Sequence, residues 1–258
     1  MTTDLQKATN LKARLRAGKL CLGAQIGLSD PAIAEIFGRA GFDWVVVDTE
    51  HSANNVMTLQ SMLQAAASTE LVVLGRPLRL DPDELRRFLD VGAQGILCPF
   101  INTGDEARQF VKACKYPPQG IRGYGPRRAG SYGFHAEEYF QRANESLLCI
   151  AIIESDQAIR NIDEIVSVEG LDGVVIGPMD LSISLNVFRQ FDNPVYVSAV
   201  EQVRAACAKH GKAMGNGCYS VEHAESCRKK GDCLLLVGGD DIFLANESRR
   251  WLGALRKQ

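Results

Sequence analysis

Seven short apolar runs along the chain are each followed or closed by a polar or otherwise distinctive residue. These residues are Asp48, Arg76, Pro99, Glu154, Asp180, Asn216 and Asp240. A continuous apolar run of four or five residues is typical of a parallel strand that is buried on both faces. The carboxyl ends of such strands are where α/β barrels hold their active sites. The pattern therefore predicts a fold and also the rim on which functional residues lie.

Apolar, strand-like segments alternate with helical segments throughout the chain. We predict strands near 21–27, 44–50, 71–77, 95–101, 147–154, 173–180, 212–218 and 233–240. Eight strands in 258 residues match a (β/α)8 barrel of roughly 250 residues. We therefore expect an α/β protein, one TIM barrel spanning 1–258 with no second domain. The last segment, 246–258, is predicted to be a short helix with Trp251 and Leu255 on one side.

The overall composition is that of an ordinary globular chain, with 46% hydrophobic and 23% charged residues. A net charge of −2 gives no reason to expect nucleic acid or a membrane surface as a partner. The first residues lack the apolar core of a signal peptide, and no run of about 18 apolar residues is present. We expect a cytoplasmic protein without a membrane span.

The eight cysteines form no C-x-x-C pair, so we expect reduced thiols that mostly pack as small core residues. No His/Cys cluster with zinc-like spacing is apparent. Cys218, at the end of a predicted strand, is the one candidate for a reactive thiol. His135, His210 and His223 are predicted to lie on the surface.

Two carboxylates close consecutive predicted strands, Glu154 and Asp180. Consecutive strand ends are neighbours in a barrel, and two facing carboxylates repel unless a charge neutralises them. A hard divalent cation such as Mg²⁺ or Mn²⁺ prefers oxygen ligands and would do so. The alternative is that one of the carboxylates forms a salt bridge with an arginine of the barrel.

Three further strand-end residues are candidates for catalysis. Arg76 follows a buried strand, and its planar guanidinium suits a carboxylate or an enolate oxygen. Its alternative role is an internal ion pair with Glu154 or Asp48. Histidine is the side chain that titrates near neutral pH, and Asp48, three residues before His51, is expected to orient the imidazole and raise its pKa. The alternative for His51 is a structural role.

Asp90 is predicted at the end of a helix, where the helix dipole favours a cation. It is either functional or a solvated turn residue.

The stretch 116–128, rich in Gly, Pro and Arg, is long enough to be a lid or a partner contact, or a solvated loop. No lysine lies at the carboxyl end of a predicted strand, which disfavours a Schiff-base mechanism.

These residues together resemble a known family. Segment 40–51, Arg76 with Pro77, and segments 89–92, 116–123, 153–154 and 176–182 are similar in order and spacing to the HpcH/HpaI family of class II pyruvate aldolases. The resemblance covers nearly the whole chain. It is strongest to the 4-hydroxy-2-oxoheptane-1,7-dioate, 2-dehydro-3-deoxyglucarate and 2-keto-3-deoxyrhamnonate aldolases.

The resemblance implies specific roles. Glu154 and Asp180 would hold Mg²⁺, Mn²⁺ or Co²⁺, which a 2-oxo acid chelates through its carboxylate and keto oxygens. Arg76 would stabilise the enolate oxygen, and His51, oriented by Asp48, would move the proton. Asp90 would approach the site of a neighbouring subunit in a homohexamer, a trimer of dimers that exchanges its C-terminal helices. Substrate would also contact the segment that contains Gly177, Pro178 and Ser182.

The chain departs from the family pattern at Ile152, where many members carry glutamine two residues before the metal-binding glutamate. The expected reaction is reversible cleavage of a 4-hydroxy-2-oxo acid to pyruvate and an aldehyde. The same residues also permit oxaloacetate decarboxylation or, less readily, cleavage of a CoA thioester. A barrel that binds a 2-oxo acid without turnover is the non-enzymatic alternative.

Overall fold

The computed structural model describes residues 3–256 and contains eight parallel strands closed into a barrel. The strands are β1 (Cys21–Ile26), β2 (Trp44–Asp48), β3 (Val72–Arg76), β4 (Gly95–Cys98), β5 (Leu148–Ile153), β6 (Gly173–Ile176), β7 (Ala213–Gly217) and β8 (Leu234–Gly239). Each strand pairs with the next, and β8 closes the ring on β1. The predicted TIM barrel is confirmed, and each predicted strand contains an observed one. Several end earlier than expected, and β6 stops four residues before Asp180.

Twelve α-helices lie among residues 3–256, most of them in the outer layer. They are α1 (Asp4–Arg16), α2 (Ala32–Ala40), α3 (Val56–Ala65), α4 (Pro82–Asp90), α5 (Gly104–Cys114), α6 (Ala136–Ser146), α7 (Asp156–Arg160), α8 (Ile162–Val166), α9 (Pro178–Ser184), α10 (Pro194–His210), α11 (Val221–Lys229) and α12 (Asp240–Leu255). Short 3₁₀ turns occupy Ala66–Ser68 and Ser131–Gly133. In this part of the chain, no helix has both the length and the apolar character needed to cross a bilayer.

The barrel interior is filled by apolar side chains of the strands, and α1 packs against one end of it. Leu11 and Leu15 of α1 belong to the same buried cluster as Trp44 and the inward-facing residues of the strands. A Cβ on Gly23 would lie 2.1 Å from the Trp44 ring, so glycine is needed there to admit the indole. Because α1 precedes β1 and packs at the amino-terminal end, the interior is accessible from the carboxyl end.

The long connection between α5 and β5 lies at the amino-terminal end of the barrel. The buried Arg122 donates to Asp90 Oδ1 at 2.7 Å, and Arg128 donates to the Val91 carbonyl at 3.3 Å. Both acceptors are at the C-terminal end of α4, on the face away from the strand carboxyl ends. The stretch 116–128 is therefore not a lid over the catalytic face of its own barrel, while a contact with a partner stays a prediction.

The last helix differs from its prediction in where it starts. α12 begins at Asp240, whose carboxylate accepts the backbone N–H groups of Gly27 and Leu28, both at 2.9 Å. The predicted helix extended to 258, but 257 and 258 lie outside the described residues. Trp251 and Leu255 are 57% and 74% exposed, so this face of α12 has little contact with its own barrel. Exchange of the helix between subunits stays a prediction.

All eight cysteines are free, and Cys218 is the only one that is not buried. The sequence analysis recognised no His/Cys cluster with zinc-like spacing, but the structure brings three such residues together. The Sγ atoms of Cys218 and Cys227 and a ring nitrogen of His223 all lie within 4.8 Å of one another. His223 is half-buried rather than on the surface. The spacing C-x4-H-x3-C was not recognised because the chain turns between Cys218 and α11.

Candidate active site

A cavity of about 370 Å³ opens at the carboxyl ends of the strands. Its apolar floor comes from the barrel interior and is formed by Leu97, Ile152, Val175 and Leu236. Its polar wall contains Gln25, His51, Arg76, Glu154 and Asp180, together with Tyr219 of the β7–α11 connection. A cavity of about 600 Å³ beside residues 92–94 lies before β4, at the opposite end from the expected catalytic face. Six predicted site residues therefore share the smaller cavity: His51, Arg76, Glu154, Gly177, Pro178 and Asp180.

Arg76 and Asp48 form a bidentate ion pair between the ends of β3 and β2. The strand register sets the two residues opposite each other. Arg76 Nε donates to Asp48 Oδ1 at 2.8 Å, and Arg76 Nη2 donates to Oδ2 at 2.5 Å. The Asp48 side chain is 1% exposed and that of Arg76 13%. Burial raises the pKa of Asp48, but the hydrogen bonds and charge of Arg76 outweigh it and hold this pKa below its usual value.

Asp48 also accepts three further hydrogen bonds, and none is from the His51 ring. The donors are Gln25 Nε2 at 2.9 Å, the Glu50 backbone N–H at 2.9 Å and the His51 backbone N–H at 3.2 Å. The predicted orientation of the imidazole by Asp48 is therefore wrong. Asp48 instead fixes the guanidinium of Arg76, which was the alternative that the sequence left open.

Glu50 is the neighbour of the imidazole, and the sequence analysis did not select it. Glu50 Oε1 lies 3.6 Å from His51 Nε2, and Oε2 lies 3.4 Å from Arg76 Nε. The Glu50 side chain is 5% exposed while that of His51 is 63% exposed. Burial raises the pKa of Glu50, although Arg76 and His51 lower it. Its position two residues after Asp48 was a usable signal, because strand alternation directs such residues to the same side.

Glu154 directly follows β5 and is 8% exposed. Its Oε1 accepts the backbone N–H of Phe100 at 2.8 Å. Burial, with the negative charges of Glu50 and Asp180, raises the pKa of Glu154 to about 7 despite that hydrogen bond and the charge of Arg76. The acidic wall of the cavity therefore lacks the positive charge that full ionisation of Glu154 requires.

The segment after β6 carries three of the predicted site residues. Parallel pairing of Ile153 with Ile176 brings it beside Glu154. Gly177 and Pro178 line the cavity, and Pro178 begins α9. Asp180 is exposed in the first turn of α9 and does not close the strand as predicted. The helix dipole at the start of α9 stabilises the negative charge of the Asp180 carboxylate.

Ser182 does not reach the cavity. It is fully buried, its hydroxyl donates to the Met179 carbonyl at 2.7 Å, and the same oxygen accepts the Arg189 backbone N–H at 3.2 Å. Both bonds stabilise the turn that follows α9. The predicted contact of Ser182 with substrate therefore has no support within one chain.

Asp90 also lies outside the cavity. Its ion pair with Arg122 explains a carboxylate at the C-terminal end of α4, because the arginine supplies the positive charge that the dipole favours. Burial raises the pKa of Asp90, while Arg122 opposes the change. A role for Asp90 at the site of another subunit stays a prediction.

A model of the HpcH/HpaI aldolase/citrate lyase family matches residues 23–246. The chain belongs to the HpcH/HpaI family. The matched range contains every candidate residue of the cavity, from Gln25 to Ile242. Its members include enzymes that make or break carbon–carbon bonds, and the chain is a carbon–carbon lyase.

Individual relatives in the HpcH/HpaI family support this assignment. The chain is 38% identical over 237 residues to a 4-hydroxy-2-oxo-heptane-1,7-dioate aldolase of Escherichia coli, covering 92% of this chain and 90% of that one. It is 37% identical over 243 residues to a hydroxypyruvate/pyruvate aldolase of Deinococcus radiodurans, covering 94% and 88%. A crystal structure of a family member from Burkholderia cenocepacia superposes with a TM-score of 0.92 at 30% identity, over 96% of this chain and 100% of that one.

Proposed function

We propose that this enzyme reversibly cleaves a 4-hydroxy-2-oxo acid to pyruvate and an aldehyde. The observation that carries the proposal is the guanidinium of Arg76, fixed by Asp48 in the cavity that Glu154 and Asp180 also line. A fixed positive group beside paired carboxylates suits a reaction that develops negative charge on a ketone oxygen. The two aldolases that match most of the chain support this substrate class.

The acidic wall fits a divalent cation. Glu154 and Asp180 offer oxygen ligands, and Glu50 and Asp180 place further negative charge near the buried Glu154. We propose these two residues as the ligands of Mg²⁺, Mn²⁺ or Co²⁺. The bound cation would supply Lewis-acid polarisation of the substrate's 2-oxo group.

Arg76 would bind the developing enolate oxygen. Its Nε and Nη2 atoms are held by Asp48, whereas Nη1 has no hydrogen-bond partner among residues 3–256. Because the planar fork is fixed on one side, the free side is preorganised and needs no reorientation during the reaction. We therefore assign the stabilisation of charge at O2 to Arg76.

His51 would act as the base, with Glu50 as its partner. In the cleavage direction, neutral His51 takes the proton of the 4-hydroxyl group as the C3–C4 bond breaks. The electron pair of that bond becomes part of the enolate of pyruvate, and the C4 fragment leaves as the aldehyde. A proton from water then adds to C3, and the imidazolium returns its proton to the solvent. Glu50, 3.6 Å from the imidazole, stabilises the imidazolium that forms.

The test is pyruvate release from a panel of 4-hydroxy-2-oxo acids and oxaloacetate, measured after chelation and again after Mg²⁺ or Mn²⁺ is restored. We expect metal-dependent cleavage of at least one hydroxy-oxo acid. Arg76→Ala should lower turnover about 10²–10³-fold. Arg14→Ala is the matched control, since Arg14 pairs with Asp43 at the other end of β2.

Other outcomes would contradict the proposal in distinct ways. Turnover of oxaloacetate alone would identify a decarboxylase that uses the same site. Binding of a 2-oxo acid with no turnover of any substrate would identify a non-catalytic barrel. A near-wild-type rate in Arg76→Ala would remove Arg76 from the mechanism.

A further inference from the structure

Three residues with soft ligand atoms meet at the edge of the catalytic cavity, which Cys218 lines, and the reaction above uses none of them. Cys218 directly follows β7, and His223 and Cys227 lie on α11. His223 and Cys227 are four residues apart, so they occupy one face of the helix. The turn between β7 and α11 folds Cys218 back onto that face.

The distances between the ligand atoms suit a single small cation. All three lie within 4.8 Å of one another, and Cys227 Sγ is 3.4 Å from His223 Nε2. Ligand atoms around a tetrahedral Zn²⁺, with Zn–S of about 2.3 Å and Zn–N of about 2.0 Å, are about 3.5–3.8 Å apart. Only small side-chain movements separate the cluster from that geometry.

The cluster is held in place by its surroundings. The Tyr219 ring stacks on the His223 imidazole with centroids 4.0 Å apart, and Phe191 stacks on Tyr219 at 4.3 Å. The Cys218 backbone N–H donates to the Leu236 carbonyl at 2.8 Å. The imidazole is thus immobilised with its Nε2 side toward the thiols, and its buried Nδ1 has no hydrogen-bond partner among the described residues.

The thiol chemistry favours metal binding as well. The hydrogen bond between the two thiols lowers the pKa of Cys227 and raises that of Cys218, so it favours a thiolate at Cys227 alone. The thiolate is the form of cysteine that ligates metals. Two sulfurs and one imidazole are a soft ligand set, unlike the carboxylate oxygens of Glu154 and Asp180.

We propose that Cys218, His223 and Cys227 form a binding site for a thiophilic divalent cation, with Zn²⁺ as the best fit. Three protein ligands leave a fourth position for water or a small ligand. The site is separate from the carboxylates and does not depend on the proposed aldol reaction. A bound cation would join β7 to α11 and fix Tyr219, which lines the catalytic cavity.

The test is titration of the full-length protein with Co²⁺ after reduction by a phosphine and removal of metals. Cobalt bound by thiolates gives an intense near-ultraviolet charge-transfer absorption, whereas cobalt bound by carboxylates does not. We expect this absorption to saturate at one equivalent of Co²⁺ and to be displaced by Zn²⁺. It should be lost in Cys227→Ser and at least tenfold weaker in affinity in His223→Asn.

Two control variants separate this site from others. Glu154→Gln should keep the charge-transfer absorption, and so should Cys207→Ser, which removes another buried thiol on the neighbouring α10. Absence of the absorption in the wild type, or its persistence in Cys227→Ser, would overturn the proposal.

A second measurement on the unmodified chain guards against variants that fail to fold. The reduced wild-type protein is alkylated with and without Zn²⁺, and the labelled cysteines are identified by mass spectrometry. We expect Zn²⁺ to slow labelling of Cys218 and Cys227 at least tenfold while Mg²⁺ has no effect. Equal labelling rates with and without Zn²⁺ would contradict the site.

Discussion

Gly177 packs against the Glu154 side chain, and no space is left between them for a Cβ atom. A Cβ at position 177 would lie 2.9 Å from Glu154 Oε2 and 3.0 Å from Glu154 Cβ. The start of the β6–α9 connection therefore forms one wall of the site in which the buried carboxylate sits. The position of that carboxylate depends on the absence of a methyl group at residue 177, directly after β6.

Gly177→Ala should displace the Glu154 carboxylate and weaken its binding of a divalent cation. We expect kcat/KM to fall at least tenfold, with an unfolding cost of about 1–3 kcal/mol from overpacking. Activity is measured against Mn²⁺ concentration, where excess cation should recover part of the loss. Gly27→Ala is the control, since its Cβ would make an ordinary 3.6 Å contact at the end of β1. Equal activity of the two variants would contradict this account.

Asp48→Asn should affect catalysis and stability together, because it removes the charge that fixes Arg76. We expect a fall of about 100-fold in kcat and a loss of about 3 kcal/mol in the free energy of unfolding, as a buried guanidinium loses its partner. Asp43→Asn tests the specificity of the effect, since Asp43 pairs with Arg14 just before β2. That pair is more exposed, so its loss should cost about 1 kcal/mol and leave kcat unchanged.

His51→Asn should lower kcat about 10²–10⁴-fold, the usual contribution of a general base. The side chain is 63% exposed, so the free energy of unfolding should change by less than about 0.5 kcal/mol. Glu50→Gln should lower kcat less, about tenfold, by removing the charge beside the imidazole. The measurements are single-turnover rates and urea denaturation. An unaltered rate in His51→Asn would require a different proton acceptor.

The stability of the metal-free protein should depend on pH through Glu154. The pKa of Glu154 is raised from 4.5 to about 7 in the folded state, first by burial. Below pH 4.5 both states are protonated and the folded state carries no penalty. Between about 4.5 and 7 the unfolded chain loses a proton that the folded protein keeps, so the free energy of unfolding falls as pH rises. Above pH 7 the penalty is constant.

Urea denaturation in chelator between pH 4.5 and 8, compared with Glu154→Gln, checks this dependence. The wild type should lose stability relative to the variant as pH rises to about 7. Excess Mn²⁺ should abolish the loss, because a cation can replace the proton. Parallel stability curves for the two proteins would show that Glu154 ionises normally.

The fold and most of the cavity followed from the sequence because strand periodicity determines both. Buried runs identified the eight strands, and strand order brought Glu154 and Asp180 to neighbouring positions on the same rim. The sequence did not predict which side chains pair with each other within the rim. Asp48 had two possible partners, and the choice of Arg76 over His51 depends on the register of β2 against β3.

Other features could be recognised only in the structure because they depend on how the chain turns. The cluster of Cys218 with α11 forms where the chain reverses direction, so a gap of four residues conceals a close approach. Ser182 was placed near substrate by the resemblance of segment 176–182 to the family, but α9 turns its hydroxyl back toward Met179. The ion pair of Asp90 was not predicted because its partner, Arg122, is 32 residues away in sequence.

Closure of the ring by β8 on β1 sets an order of events for the newly made protein. β8 begins at Leu234, 208 residues after β1 ends at Ile26. Synthesis of that length takes roughly 10–40 s at about 5–20 residues per second. During that interval the outer edge of β1 has no pairing strand, and the wall that β8 contributes to the cavity is missing. A ribosome-bound chain thus carries Arg76, Glu154 and Asp180 before the catalytic cavity is complete. The cavity is complete only once β8, the strand that closes the barrel, has been made.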